Sequence, residues 1–247
     1  MGVLSDALSW LTSAESYSGP SGISTRMLEH VQISVQPLVL AALVAIPVGM
    51  WIGHRRRFEF LVISIGNLGR ALPSFGILAI FFILTFSWPG DLGYWAIFFA
   101  MFFLAIPPIL TNTYVGIKGV DPDTVEAARG MGLREREVLL ALELPLAVPL
   151  IVAGMRTAAV QVVATATLGA VTSWGGLGRF IVDGFAVQDN VQILAGAILV
   201  ALLAIVTEVV FGRLQRALAP KISSRGSRRG GSAGDQAGEG AARVAHV

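Results

Sequence analysis

Few residues of this chain have the chemistry to act on a solute, and they are thinly spread. Arg70, Arg156 and Glu208 are ionisable groups in or beside strongly apolar stretches, where a charge is costly and marks function by default. Arg70 stands about a turn before Pro73. It can line a path, or it can snorkel to the membrane interface. Glu208 has a similar pair of roles, as a buried partner or as a group reaching the headgroups. Gln161, Thr165 and Thr167 fall in the middle of another apolar stretch, where polar side chains bond between helices or line a path. Trp174-Gly175-Gly176-Leu177-Gly178 has the glycines for a moving gate, and equally for a tight turn. No catalytic centre can be assembled from the rest. There are no cysteines, the three histidines are scattered and the carboxylates form no cluster. No Gly-x-x-x-x-Gly-Lys-Ser/Thr loop is present to cradle nucleotide phosphates.

The elements that must hold these residues are set by composition. Of 247 residues 54% are apolar and only 14% are charged, against about a quarter charged in a soluble domain. Lipid is the solvent that accommodates the excess. Five apolar stretches stand out, at residues 31–53, 58–88, 93–115, 146–171 and 191–211. Four are near the roughly 20 residues that cross a hydrocarbon core. The second is too long and is interrupted at Leu72-Pro73, so Pro73 separates a tilted or interfacial part from the crossing itself. Backbone groups unpaired in lipid are too costly for anything but helices here, and no period-two alternation points to a barrel. The fold class expected is all-α, a polytopic bundle of five transmembrane helices.

Charge placement orients the bundle. His54-Arg55-Arg56-Arg57 follows the first stretch, Lys118, Arg129, Arg134 and Arg136 lie between the third and fourth, and a run of Lys and Arg follows the fifth. The alternate connections hold only Arg179. Basic loops stay in the cytoplasm, which puts the N-terminus outside and the C-terminus inside. A sixth crossing at residues 58–70 would invert the later loops and is rejected. Trp10, Trp51, Trp88, Trp95 and Trp174 fall near predicted span ends, where indole rings prefer the interface. Residues 1–24 have no basic region of a cleavable leader, and the net charge of +2 gives no case for nucleic acid. The chain divides into an external segment (1–27), a membrane domain (28–217) and a tail (218–247) whose Gly, Ser, Ala and Arg read as disordered.

One cytoplasmic connection is built differently. Asp121-Pro122 is a helix start, a capping side chain followed by proline at the first position. Asp123 and Glu126 put negative charge in or next to the first turn, and Ala127 and Ala128 keep the helix slim. Gly130 and Gly132 are expected to stop it, because glycine tolerates the left-handed conformation a stop requires. A second charged helix, residues 134–143, leads to Leu144-Pro145 and the fourth span. The whole loop, 116–145, reads as a protruding knob.

Glu126-Ala127-Ala128, Gly132, Leu142 and Leu144-Pro145, at their spacing, resemble the EAA loop of binding-protein-dependent ABC importer permeases. The resemblance implies that the knob is the coupling helix, seated in a cleft of the ATPase subunit through Asp123, Glu126, Ala127, Ala128, Gly130 and Gly132, with Leu144 and Pro145 closing the motif. Arg70-Ala71-Leu72-Pro73-Ser74, Ile106-Pro107-Pro108, residues 161–168 and Gly175-Gly176-Leu177-Gly178 are similar to permeases of osmoprotectant importers, which carry glycine betaine, carnitine or choline. Methionine-importer permeases share the fold and part of the pattern, so methionine is the alternative cargo, and a stand-alone channel or scaffold the alternative class. The resemblance further implies a multi-pass protein of the bacterial cell membrane that is not an enzyme and holds no cofactor. Its partners would be a pair of ABC ATPases carrying ATP and Mg, a second permease, identical or similar, and an external binding protein. Arg70, Pro73, Gln161, Thr165, Thr167, Gly175, Gly176 and Gly178 would then be pathway or gate candidates.

Overall fold

The computed structural model describes residues 2–89 and 91–218; the predicted tail beyond Leu218 lies outside them, as does the side chain of Arg70. Among the described residues every regular element is helical. In chain order these are α1 (Val3–Thr12), α2 (Ile23–Arg55), α3 (Glu59–Ala71), α4 (Ser74–Thr85), α5 (Leu92–Lys118), α6 (Pro122–Gly130), α7 (Glu135–Glu137), α8 (Leu144–Thr165), α9 (Gly178–Val187) and α10 (Asn190–Leu218). A π-helical segment, Val138–Glu143, joins α7 to α8, and a 3₁₀ segment, Ala166–Thr172, follows α8.

Four helices are long and apolar enough to cross a membrane. The expected break in the second stretch is present: the axes of Glu59–Gly69 and Ser74–Thr85 meet at 94° around Pro73, a broken span or a re-entrant loop, and the spans number five if the pair is one. Proline's fixed φ and missing N–H end α3 there, while Pro73 itself, extended, starts α4.

α5 is the axis of the bundle, packed between α2 on one side and α8 on the other, with α3 and α4 against it. Small residues permit the approach. A Cβ on Gly49 would lie 2.8 Å from Cβ of Thr113, and one on Gly53 2.8 Å from Cβ of Ile117. These two glycines, four apart on one face of α2, bring its backbone against α5. Gly154 does the same for α8, since a Cβ there would meet Cβ of Asn112 at 2.7 Å. Ala41, Ala45, Ile97, Ala100, Met101, Ala105, Ile109, Ala158 and Val162 are buried at this junction. Dispersion between closely approaching helices is what holds a bundle together in lipid, where apolar transfer contributes little.

Three boundaries depart from the sequence expectation. α2 begins at Ile23, eight residues before the apolar stretch. Its 33 residues span roughly 50 Å at ~1.5 Å each, so its polar first turns project past the hydrocarbon. The external segment is not featureless: α1 docks on α10, with Ala7 buried and Trp10 edge-on to Phe180 at 5.4 Å. The connection before the last span contains α9, whose Phe180 and Gly184 are buried.

Candidate functional site

The knob forms as its caps dictate. The Asp121 carboxylate accepts the Asp123 N–H at 3.0 Å, with Pro122 at the first helical position. The far end closes with two reciprocal bonds, Leu133 N–H to the Ala128 carbonyl at 3.2 Å and Gly132 N–H to that of Arg129 at 2.9 Å. This is a Schellman stop, with Leu133 folding back onto Val120, Val125, Ala128 and Val138, the apolar contact that accompanies the motif. Gly132 alone takes the left-handed conformation, at φ +89°. Gly130 is instead the last helical residue, so the expectation that both glycines make the stop is corrected: one C′ position needs only one glycine.

Burial divides the motif residues into two faces. Val125 and Ala128 turn inward and anchor α6 to its own loop, while Asp123, Glu126, Ala127, Gly130 and Met131 are exposed. Met131, 75% exposed at the tip, was not singled out in the sequence. Glu126 makes no hydrogen bond or ion pair among the described residues.

The second charged helix, expected to run through residues 134–143, is regular only over Glu135–Glu137; Val138–Glu143 then widens to π geometry before α8. Pro145, near the start of α8, has no N–H for the carbonyl of Ala141 and its ring would crowd it. A wider turn relieves both, and π segments concentrate at functional sites. Leu144 and Pro145 therefore sit inside one continuous helical path.

A chain of charged groups ties the knob to the end of α2. Nδ1 of His54 lies 2.7 Å from Oε2 of Glu143, and Nε2 lies 3.1 Å from Oε2 of Glu135. The first contact is a hydrogen bond and the second an ion-pair distance. Glu135 in turn takes Arg129 in two bonds, Nε at 2.9 Å and Nη2 at 3.0 Å, which stabilises the charged guanidinium and raises its pKa. Glu143 is 2% exposed, and His54 is its one hydrogen-bond partner among the described residues.

Within the bundle, α3, α5 and α8 enclose a cavity of about 180 Å³ lined by Gly66, Gly69, Thr111, Asn112, Thr157 and Gln161, with Pro107 and Pro108. That is room for about six waters at ~30 Å³ each. Leu104 and the two prolines make much of the wall apolar, and its polar groups among the described residues, Thr111, Asn112, Thr157 and Gln161, are uncharged. The Thr111 hydroxyl is buried without a partner, and the Gln161 amide makes no hydrogen bond among the described residues. Gly69 admits Pro107, whose ring would lie 2.2 Å from a Cβ there. Of the pathway candidates whose side chains are described, Gln161 reaches this cavity. Arg156 does not: it pairs with Glu208 across α8 and α10 and bonds Gln215 at 3.4 Å. Glu208 is thus paired with Arg156, and at 42% exposure its side chain is not buried.

At the opposite end the glycine loop is fastened to α2. Oε2 of Glu29 accepts the Gly176 N–H at 2.7 Å and is held by Arg26 at 2.9 Å. His30, fully buried, has Nε2 at 2.9 Å from the Val163 carbonyl and accepts the Leu177 N–H on Nδ1 at 3.3 Å. A neutral imidazole protonated on Nε2 satisfies both. The glycines serve close approach: a Cβ on Gly175 would collide with the Glu29 carboxylate, and one on Gly178 would lie 2.2 Å from the Thr167 carbonyl oxygen. Thr165 ends α8 and Thr167 lies in the 3₁₀ segment, its hydroxyl on the Ala164 carbonyl at 2.9 Å.

Sequence reasoning missed His30, His54, Glu29 and Glu143. Apart from Arg26, which holds Glu29 from the turn before it, the partners of their side chains lie 81 to 147 residues away. The available signal was a histidine at each end of one membrane helix, where an unpaired imidazole would be costly.

Known proteins give the same outline. Residues 45–224 match the family described as binding-protein-dependent transport system inner membrane component. The chain is 37% identical to the carnitine transport permease protein OpuCB of Listeria monocytogenes over 78% of its own length and 86% of the relative's. It is 37% identical to the choline transport system permease protein OpuBB of Bacillus subtilis over the same shares, and 30% identical to the osmoprotectant import permease protein OsmW of Salmonella typhimurium over 81% and 93%. An inward-facing structure of the MetNI methionine ABC transporter superposes with a TM-score of 0.69, covering 80% of this chain and 96% of that one at 18% identity; it shares the fold. The chain is a member of the binding-protein-dependent transport system inner membrane component family.

Proposed function

We propose that the chain is the permease subunit of an ABC importer that brings osmoprotectants of the glycine betaine, carnitine and choline type into the cytoplasm. The observation that carries the reading is α6: a closed, doubly capped helix that holds Glu126 and Ala127 outward with no side-chain partner among the described residues. In this reading α6 lies in the cytoplasm and docks on one of two ABC ATPases that carry ATP and Mg. A second permease, identical or similar, completes the path, and an external binding protein delivers the solute. Nucleotide binding shifts the pair between two states, with α6 as the rigid input. The polar cavity at Gln161, Thr111 and Asn112 is a stretch of the path; its uncharged hydroxyl and amide groups suit a solute that passes rather than stays. Gly175, Gly176 and Gly178, fastened to Glu29 and His30, form the outer closure.

Two experiments test this. The Glu126→Arg variant is expected to lose an ATPase that co-purifies with the wild type; if no ATPase co-purifies with the wild type, the importer reading falls. In a strain lacking its own carriers, the assembled system should take up labelled glycine betaine, carnitine or choline. Uptake of methionine instead would keep the machine and replace the cargo.

A further inference from the structure

A hollow of about 620 Å³ opens where the end of α2 meets the α7 turn. Arg55, Arg57 and Arg136 line it, and none of the three makes an ion pair or hydrogen bond among the described residues. The remaining charges at its wall are already engaged with one another, Arg129 with Glu135 and Glu135 with His54. Three exposed guanidinium groups, unpaired among the described residues, concentrate positive charge around one hollow, and an anion there would be attracted by all three. Guanidinium is the group best matched to phosphate oxygens.

One flank of the hollow is apolar. Trp51 and Leu139 line it, and the Trp51 ring stacks on Phe58 at 5.8 Å. Both rings are 52% exposed. An indole beside basic residues at the end of a spanning helix marks the level of the lipid headgroups. The ligand that fits this hollow is therefore amphipathic, with a phosphate for the arginines and a hydrocarbon for the ring pair.

We propose that this hollow binds an anionic phospholipid by its headgroup phosphate. The inference rests on the importer reading in one respect, that the α6 end faces the cytoplasmic leaflet, where basic pockets between spans take such headgroups. A bound headgroup sits against the Glu135–Arg129 pair, one contact from α6, so lipid composition reaches the coupling helix through two side chains.

The test is native mass spectrometry of the full-length chain in complex with its partners, equilibrated with phosphatidylglycerol or with phosphatidylcholine. The wild type is expected to retain phosphatidylglycerol preferentially. Each of Arg55→Gln, Arg57→Gln and Arg136→Gln should weaken retention about fivefold, and Arg136→Lys should restore most of it. Trp51→Ala should weaken lipid retention while leaving the basic groups in place. All variants keep the same C-terminal arginines, so lipid held by the tail is common to every arm. Equal retention by the wild type and the glutamine variants overturns the proposal, as does displacement of the lipid by inorganic phosphate at matched concentration, which would make this a site for a soluble anion. Should a glutamine variant fail to assemble, the Trp51→Ala and Arg136→Lys arms still decide. A wild type that retains phosphatidylglycerol in an arginine-dependent way but brings no ATPase would refute the importer reading and leave this site standing.

Discussion

Glu143 is a carboxylate 2% exposed in the π-helical turn, with the imidazole of His54 2.7 Å away as its one hydrogen-bond partner among the described residues. Replacing His54 with leucine removes that partner and leaves the carboxylate in place. Breaking one side of a buried pair costs about 3–5 kcal/mol, because the remaining carboxyl is left buried without its hydrogen-bond partner. For a chain of this size each kcal/mol lowers the thermal midpoint by about 2–4 °C, so His54→Leu should lower it by roughly 6–20 °C. The double variant His54→Leu, Glu143→Leu has no orphaned charge and fills the space with apolar atoms, a replacement that is often neutral or better. It should recover most of the loss. Thermal unfolding of the detergent-purified chain, followed by tryptophan fluorescence in the wild type, both single variants and the double, closes the cycle. The non-additivity expected is on the order of 2 kcal/mol or more. Additive effects, or a His54→Leu midpoint equal to that of the wild type, would refute the argument and show that Glu143 finds water or another partner.

Two further predictions concern glycines that look alike in the sequence. Gly132→Ala should destabilise the α6 loop by ~1 kcal/mol, because alanine is strained at φ +89°, whereas Gly130→Ala, helical and with nothing within 4 Å of a new Cβ, should stabilise it by about 0.5–1 kcal/mol; protease protection of the loop separates the two, and equal effects would contradict the cap geometry. Gly178→Ala must push a backbone carbonyl, that of Thr167, 2.2 Å from the new Cβ, and should cost about 1–3 kcal/mol; a thermal midpoint unchanged from the wild type would mean that the loop is looser than its contacts imply.

What the sequence disclosed follows from how local each signal is. Asp121-Pro122 and the Gly132 stop act over four or five residues, so α6 was readable with both ends. The break at Pro73 was visible because the stretch that holds it is too long for one crossing, whereas Pro37, Pro47, Pro107 and Pro108 lie inside continuous helices. α1 and α9 were not, since each is only ten residues, too short for periodicity to outweigh the neighbouring Ser and Gly. Gly130 and Gly132 could not be told apart, because a glycine shows what it permits and not which dihedral it takes. The histidines looked scattered for a topological reason: His30 and His54 acquire roles only when the helix that carries them stands beside α8 and its flanking loops. The Arg156–Glu208 pair was half readable, as two costly charges with no stated partner.

That placement of the two histidines has a mechanical consequence. His30 holds α2 to the Val163 carbonyl in α8 and to the loop beyond it, and His54 holds the other end of α2 to Glu143, just ahead of α8. The two anchors are 24 residues apart, roughly 36 Å at ~1.5 Å per residue. In the proposed importer, a helix pinned to its neighbour at both ends would act as a connecting rod: a push received near α6 would arrive at the far end as displacement of the pair instead of dissipating as sliding between them. What bending remains is confined to Pro37 and Pro47, the interior positions where the helical ladder lacks a donor. Moving either anchor by one turn would leave both helices intact and uncouple the two ends of the molecule.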